Sequence, residues 1–276
     1  MSPESQAIFA EWSPPVFLTA AVLFSAIVYV RGWLAIRKTR PAQFSGGRLA
    51  AFLLGLCTLW LAIGSPIDGF ADTLLSAHMV EHLLLMSFVP PLLLLGDPQV
   101  PLLRGLPRPL TARLLGPLFR LRALRKFGRF LITPRVAWLA MNLAFLGWHI
   151  PTAYDFALEH ERWHDFEHIC LLASSILFWW PLIRPWPTSA PYPGWIMLPY
   201  LVGADIVNTA LSAFLAFCGQ PVYGYYATRS NPFHVSFMAD QVTGAVIMWV
   251  VGSLVFLIPA VLITISLLQQ DSKFQI

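Results

Sequence analysis

The chain has 276 residues, of which 57% are hydrophobic and only 12% are charged, and its mean hydropathy is +0.65. Because soluble domains are about half apolar and about a quarter charged, this composition argues against a water-soluble fold. The formal net charge is +4, and the three cysteines show no paired spacing such as C-x-x-C, so they indicate no redox role.

Apolar segments long enough to cross a bilayer recur along the chain, since about 20 helical residues span the hydrocarbon core. We predict seven spans, which lie near residues 15–36, 48–65, 72–96, 134–150, 163–184, 194–218 and 236–268. The fourth span is short, and the seventh is longer than a bilayer needs, so it is expected to tilt or to extend beyond the lipid. The sequence therefore predicts an all-α, polytopic bundle of seven transmembrane helices that forms one domain over residues 1–276.

The Lys and Arg residues predict the orientation of this bundle, because positively charged loops stay in the cytoplasm. Most of the 18 basic residues fall between spans one and two or in the loop of residues 97–133, whereas Arg162 and Arg229 fall on the opposite side. We therefore expect the N-terminus outside the cell and the C-terminus in the cytoplasm.

Residues 107–135 alternate arginines with large apolar residues, as in a basic amphipathic helix that lies on anionic lipid. The apolar members are Leu118, Phe119, Leu121, Leu124, Phe127 and Phe130. The alternative is that these charges serve only as topology determinants. Binding of nucleic acid is the weaker interpretation, and we expect none.

All seven histidines fall near the predicted outer face. They are His78 and His82 in span three, His149 at the end of span four, His160, His164 and His168 at the start of span five, and His234 before span seven. Imidazoles that only reach toward the membrane interface would give the same asymmetry, so the asymmetry alone does not identify a site.

Two copies of the motif H-x-x-E-H add a second signal, one at residues 78–82 and the other at residues 164–168. Positions i, i+3 and i+4 share one face of a helix, so each copy places two imidazoles together with Glu81 or Glu167. Ionisable groups within a membrane span usually face the bundle interior and mark function. The pattern predicts two halves of a metal site, and the alternative is a polar network that ties helices together.

The residue types narrow the metal, because imidazole suits copper, zinc and iron, and thioethers favour Cu(I). Met79 and Met238 lie at a suitable depth as additional ligands, although packing is the more common role of methionine. An acidic outer face would attract cations; its members are Glu4, Glu11, Asp68, Asp72, Asp155, Glu159 and Glu161. Other polar residues at membrane depth could line a path or bond helices together, namely Asn142, Asp205, Asn208, Asp240 and Gln241.

The run HMVEHLLLMSFVPPLLLLGDPQVP at residues 78–101 resembles the membrane-embedded CtaG-type cytochrome c oxidase assembly factors. Further segments resemble that family in the same order. They are Trp148-His149-Ile150-Pro151 with Tyr154, residues 164–168 with Phe178-Trp179-Trp180-Pro181, Pro221-Val222-Tyr223, and Asp240-Gln241-x-x-Gly244 with Trp249.

The resemblance implies an assembly factor for a haem–copper oxidase in a bacterial cytoplasmic (inner) membrane, acting in copper delivery to the catalytic subunit and not as an enzyme. Its implied partners are that oxidase subunit and a copper chaperone outside the membrane. The positions carried over as metal ligands are His78, His82, His149, His164 and His168, with Glu81, Glu167, Asp240 and Gln241 in support. Met79 is a further supporting candidate because of its thioether and its depth.

Three other functions stay open at this stage. Paired H-x-x-E-H motifs are compatible with a di-metal oxygen-activating enzyme or a metalloprotease. Histidines from two helices could also be axial ligands of a haem in an electron carrier. A scaffolding role without metal would use the same membrane architecture.

Overall fold

The computed structural model describes residues 12–186, 192–229 and 233–273. Two acidic residues that we assigned to the outer face, Glu4 and Glu11, lie outside this part of the chain. Within it the principal helices are α1 Val16–Arg37, α2 Gly46–Gly64, α3 Pro66–Ala71, α4 Leu75–Leu95, α5 Gln99–Gly105, α6 Arg122–Leu131, α7 Pro134–Trp148, α8 Pro151–Glu159, α9 Glu161–Ile183, α10 Met197–Phe217, α11 Gly224–Ala227 and α12 Phe237–Lys273. Shorter helical segments, Arg108–Leu110, Thr111–Leu115 and Gly116–Arg120, connect α5 to α6.

Six of the described helices are long and apolar enough to cross a membrane, which makes the chain a multi-pass membrane protein; they are α1, α2, α4, α9, α10 with its preceding turn, and α12. The prediction of seven spans holds only if α6 and α7, which meet at an angle of 66°, form one bent span. Helix α7 has 15 residues and rises about 22 Å, which is short of a hydrocarbon core about 30 Å thick. The break falls before Pro134, because proline starts helices readily but cannot continue one.

The Pro90-Pro91 pair interrupts the hydrogen bonding of α4. The interruption takes the form of a π-helical turn, Leu84–Phe88, which is followed by an α-helical segment with proline in its first turn. Proline has no N–H to donate, and its ring crowds the preceding turn of a helix. The wider π turn, with its i→i+5 hydrogen bonds, accommodates both effects. Helix α4 thus remains one span.

Apolar side chains cover the outside of the bundle and polar ones are enclosed, which is the distribution expected in lipid. Phe17, Ile206 and Phe217 are largely exposed, whereas His78, Glu81, Glu167 and other ionisable residues are completely or almost completely buried.

Side-chain hydrogen bonds connect α10 to α12. The Ser253 hydroxyl donates to Asp205 at 2.7 Å and the Asn208 amide donates to the Met248 carbonyl at 3.1 Å, so these two predicted polar residues bond helices together.

The histidine motifs lie at one end of the bundle. Helices α4 and α9 run side by side in the same direction, as two contacts between them show. Their first turns meet at His78 and His164, and deeper in the bundle the Trp179 indole N–H donates to the Met86 carbonyl at 3.0 Å. The C-terminal end of α7 joins them and brings His149 to the same depth. Three helix ends therefore enclose the site.

Candidate metal centre

The two H-x-x-E-H motifs face each other across the α4–α9 contact. The ring centroids of His78 and His164 are 5.1 Å apart, and those of His82 and His168 are 5.7 Å apart. His149 completes the group, with its ring centroid 5.9 Å from that of His82. The packing thus brings together all five histidines predicted as ligands.

Two triads within this group are spaced as a metal site requires. One is His78, His82 and His168, and the other is His78, Glu81 and His164; in each, the potential ligand atoms all lie within 4.8 Å of one another. The Nε2 atoms of His78 and His82 are only 2.7 Å apart. One cation could therefore bridge α4 and α9.

The glutamates pair reciprocally with the histidine of the opposite motif. Glu167 Oε1 lies 3.5 Å from His82 Nε2, and Glu81 Oε1 lies 3.7 Å from His168 Nε2. Both carboxylates are fully buried. Glu81 lies within hydrogen-bonding reach of the Asp68 carboxyl, whereas Glu167 has no hydrogen-bond partner within the described residues. Since a buried negative charge is costly unless a positive charge balances it, this donor set fits a bound cation.

Hydrogen bonds set the tautomers of two of the histidines. The Tyr226 hydroxyl donates to the Ala71 carbonyl at 2.6 Å, so its oxygen accepts the bond from His78 Nδ1, 3.0 Å away. His149 Nδ1 lies 2.7 Å from the Phe145 carbonyl, which can only accept. Both rings thus carry the proton on Nδ1 and present a lone pair on Nε2, which is the form that binds metal.

The site also contains two tyrosines, Tyr154 and Tyr226, which the motif analysis did not assign to it. The ring of Tyr154 lies 5.2 Å from that of His78 and 6.0 Å from that of His149, and its buried hydroxyl lies within hydrogen-bonding reach of the Tyr226 hydroxyl. Tyr154 was visible only as part of the family-like segment after His149. Tyr226 gave no sequence signal, because it is 148 residues from His78 along the chain.

An acidic cavity of about 800 Å³ leads from the surface to this cluster. His164 and His168 line it together with Asp68, Asp72, Asp165, Glu159 and Glu161. Burial raises the pKa of the Asp68 carboxyl to about 6, and the nearby charge of Asp72 acts in the same direction. The carboxyl is still mainly ionised at neutral pH, so the cavity presents negative charge to an arriving cation.

Comparison with known proteins identifies the family. The family model of the cytochrome c oxidase caa3 assembly factors (Caa3_CtaG) matches residues 27–270. The chain belongs to this family. Uncharacterized proteins of Mycobacterium bovis and Mycobacterium tuberculosis are each 29% identical to it, and one of Mycobacterium leprae is 26% identical. Each match covers 96% of this chain, which spans only about 40% of the length of those relatives. No solved structure matches the chain.

In this Caa3_CtaG chain Asp240 positions the first motif helix. One of its carboxylate oxygens accepts from the Leu75 N–H at 2.7 Å, and the other accepts from the N–H and the hydroxyl of Ser76. Asp240, on α12, thereby caps the N-terminus of α4 one turn before His78. Both of its oxygens are used in this contact, so Asp240 supports the site by orienting a helix.

Gln241 of this family member has a comparable role in the turn after α10. Its side-chain oxygen accepts from the Val222 N–H at 2.9 Å, and its amide donates to the Leu215 carbonyl at 3.0 Å and the Gln220 carbonyl at 3.2 Å. The turn carries Tyr223, which stacks on Tyr154 with ring centroids 4.0 Å apart. Gln241 therefore stabilises the turn that packs Tyr223 against Tyr154, the tyrosine beside the histidines.

The remaining predicted residues separate into inner and surface positions. Met79 is buried beside His82, where both line a small inner cavity, whereas Met238 is only half-buried. His160 and His234 are exposed, and His160 Nδ1 bonds the Phe156 carbonyl at 2.9 Å. Asp155 does not line the acidic cavity but accepts from the N–H groups of two residues at the start of α11.

Proposed function

We propose that this chain binds copper at the histidine–glutamate cluster and helps to deliver it to the catalytic subunit of a haem–copper oxidase during assembly. The observation that carries the proposal is the set of five imidazoles and two carboxylates at the end of an acidic cavity, of which only His164 is half-buried and the rest are buried. Imidazole nitrogen is a good ligand for copper, and the family is one of oxidase assembly factors. The chain would act as a carrier and not as an enzyme.

The number of donors supports transfer more than storage. The cluster offers more nitrogen and oxygen donors than one copper ion uses, and two overlapping triads share His78. Overlapping ligand sets allow an ion to move by exchanging one ligand at a time, whereas a closed set of four holds its metal. Copper would enter through the acidic cavity and leave sideways to the oxidase within the membrane.

The surroundings of the bundle suggest the other partners. Basic and apolar residues alternate along the exposed helix α6, which supports contact with anionic lipid on the cytoplasmic side of a bacterial inner membrane. A copper chaperone outside the membrane would supply the cavity. The orientation follows from the charge distribution, with the N-terminus outside.

Metal analysis of the detergent-purified full chain tests the copper site. The variant His78→Ala with His164→Ala should bind less copper than the wild type, because it removes one imidazole from each motif. The matched control is His160→Ala with His234→Ala, which removes two exposed histidines and should retain the wild-type amount. Equal copper content in all three proteins would contradict the proposal.

The same variants separate delivery from scaffolding. In cells that lack the chain, the cluster variant should leave the oxidase short of copper although it is made in normal amount, whereas the control should restore the copper. Full restoration by the cluster variant would instead support a scaffold. An optical spectrum of the purified protein tests the haem alternative, since a bound haem would give a Soret band.

A further inference from the structure

A second, smaller cavity lies beneath the histidine cluster, toward the middle of the bundle. Its volume is about 40 Å³, which exceeds the space of about 10–15 Å³ that a single water needs. His82 and His149 line its upper end, and residues from the deeper turns of α7, α9, α10 and α12 close it. The cavity is therefore lined mainly by buried residues and adjoins the cluster.

Methionine is concentrated around this cavity. Four of the seven methionines of the chain line it, from three different helices; they are Met79, Met86, Met141 and Met248. Met197, by comparison, is equally buried but does not line it. Several flexible thioethers around one small space form a soft ligand set.

Unpartnered polar atoms also lie at this cavity. His149 Nε2, His82 Nδ1 and Asn142 Oδ1 are buried and have no hydrogen-bond partner within the described residues. His149 and His82 are 4% and 3% exposed, so neither ring reaches water on the outside. Because the His149 proton is held on Nδ1 by the Phe145 carbonyl, its Nε2 is a free lone pair.

We propose that this methionine-lined cavity is a second metal site, which takes a soft monovalent cation and in the cell takes Cu(I). The thioethers of Met141 and Met248 and the imidazoles of His149 and His82 would be its ligands. Soft thioether donors select Cu(I) over divalent ions, whereas the imidazole–carboxylate cluster above it also accepts divalent ions.

The two sites share the imidazoles of His82 and His149. His82 directs Nε2 to His78 and Glu167 in the cluster, and its ring also lines the lower cavity. An ion that leaves the cluster could therefore keep one imidazole while it gains sulfur ligands. Copper enters the lower site already as Cu(I), so no electron transfer is part of the step. This inference rests on the proposed function for its copper but not for the existence of the site.

Silver(I) is a suitable probe because it is soft, monovalent and redox-inert. The variant Met141→Leu with Met248→Leu should bind one silver ion fewer than the wild-type full chain in detergent, and it should bind Co(II) as the wild type does. The matched control is Met197→Leu with Met238→Leu, which removes two thioethers elsewhere and should match the wild type for both ions. Silver held by cysteine is common to all these proteins and cancels.

The outcomes distinguish the two proposals. Equal silver content in the cavity variant and the control would overturn the second site and leave the histidine cluster untouched. Loss of Co(II) together with silver would also overturn it, since the cavity would then not be a separate site. Conversely, the variant His78→Ala with His164→Ala should lose Co(II) but keep the cavity silver.

Leucine is close to methionine in volume, so the variant is expected to fold, and a single elution peak with an unchanged melting temperature would show this. If the double variant does not fold, X-ray absorption of the wild-type chain loaded with Cu(I) tests the site instead, because it identifies the atoms bound to copper. Sulfur neighbours at copper that persist in the control but decrease in Met141→Leu support the site. A copper environment of nitrogen and oxygen alone would contradict it.

Discussion

Tyr226 fixes the tautomer of His78. The Tyr226 hydroxyl donates its hydrogen to the Ala71 carbonyl, so its oxygen accepts from His78 Nδ1 and the lone pair of the ring lies on Nε2. Such partners of a ligating histidine fix its orientation, and their loss typically lowers metal affinity about 10- to 100-fold. The geometry thus makes Tyr226 a positioning residue for the cluster.

Tyr226→Phe should accordingly weaken copper binding about 10- to 100-fold without changing the number of ions bound at saturation. A competition titration against a chelator measures this affinity. Tyr200→Phe is the control, because Tyr200 also donates from a buried hydroxyl, at 2.8 Å to the Phe178 carbonyl, but at a distance from the histidines along the bundle. An equal loss in both variants would show that the effect is general destabilisation.

The residue scale also shows how far sequence reasoning reaches. The H-x-x-E-H spacing predicted which side chains share a face of α4 and of α9, because the helical repeat alone determines that. It could not predict Tyr226, or that Asp240 caps a helix, since contacts between residues 148 and 165 positions apart depend on tertiary packing. The family-like segments marked Tyr154 and Asp240 as notable without indicating what they contact.

A residue of α12 caps the N-terminus of helix α4. The helix begins without a cap from its own preceding residue, and Asp240 instead satisfies the N–H groups of Leu75 and Ser76. An acidic cap also complements the positive end of the helix dipole. The position of His78, one turn later, therefore depends on a contact between two distant helices.

Asp240→Ala should lower the free energy of unfolding by about 1–2 kcal/mol, the usual cost of losing an N-cap, and should also weaken copper binding. Thermal unfolding in detergent measures the first effect. Thr243→Ala, one turn along α12, is the control, because the exposed Thr243 hydroxyl bonds only its own helix, at 2.7 Å to the Ala239 carbonyl. Unchanged stability of Asp240→Ala would contradict the capping role.

The crossing of α1 and α5 depends on two glycines. A Cβ added at Gly32 would overlap the carbonyl oxygen of Pro101, and one added at Gly105 would overlap that of Val28. Small residues at such crossings let helix backbones approach closely in membranes. The two helices can pack at this distance only because both positions lack a side chain.

Gly105→Ala should therefore force α5 away from α1 and destabilise the chain by at least about 1–3 kcal/mol, the usual cost of overpacking. Gly128→Ala is the control, because a Cβ there meets no atom within 4 Å and alanine favours a helix interior. The stability of the two variants is compared by their melting temperatures. A Gly105→Ala protein as stable as the control would show that the crossing tolerates a side chain.

At the scale of the whole molecule, apolar length predicted where the spans lie, and helices α1, α2, α9 and α10 begin and end within a few residues of the predicted bounds. The fourth span was the exception. Hydropathy indicated a short apolar segment before His149, but whether α6 joins α7 as one bent span depends on the geometry around Pro134. Such an angle between segments is set by packing and not by composition.

The charge distribution predicts which side of the membrane each end of the bundle faces. The acidic cavity and the histidines lie at one end, and the arginine-rich connection between α5 and α7 should face the cytoplasm because positive charge is retained there. Glu159, which is exposed and lines the cavity, should therefore face outward, and the exposed Arg120 should face inward.

Single cysteines test this orientation in a chain whose Cys57, Cys170 and Cys218 are replaced by serine. Glu159→Cys should react with a membrane-impermeant maleimide in intact cells, and Arg120→Cys should react only after the membrane is opened. The serine-only chain is the control for background labelling. The reverse pattern would place the acidic cavity in the cytoplasm, and copper would then have to reach the cluster from inside the cell.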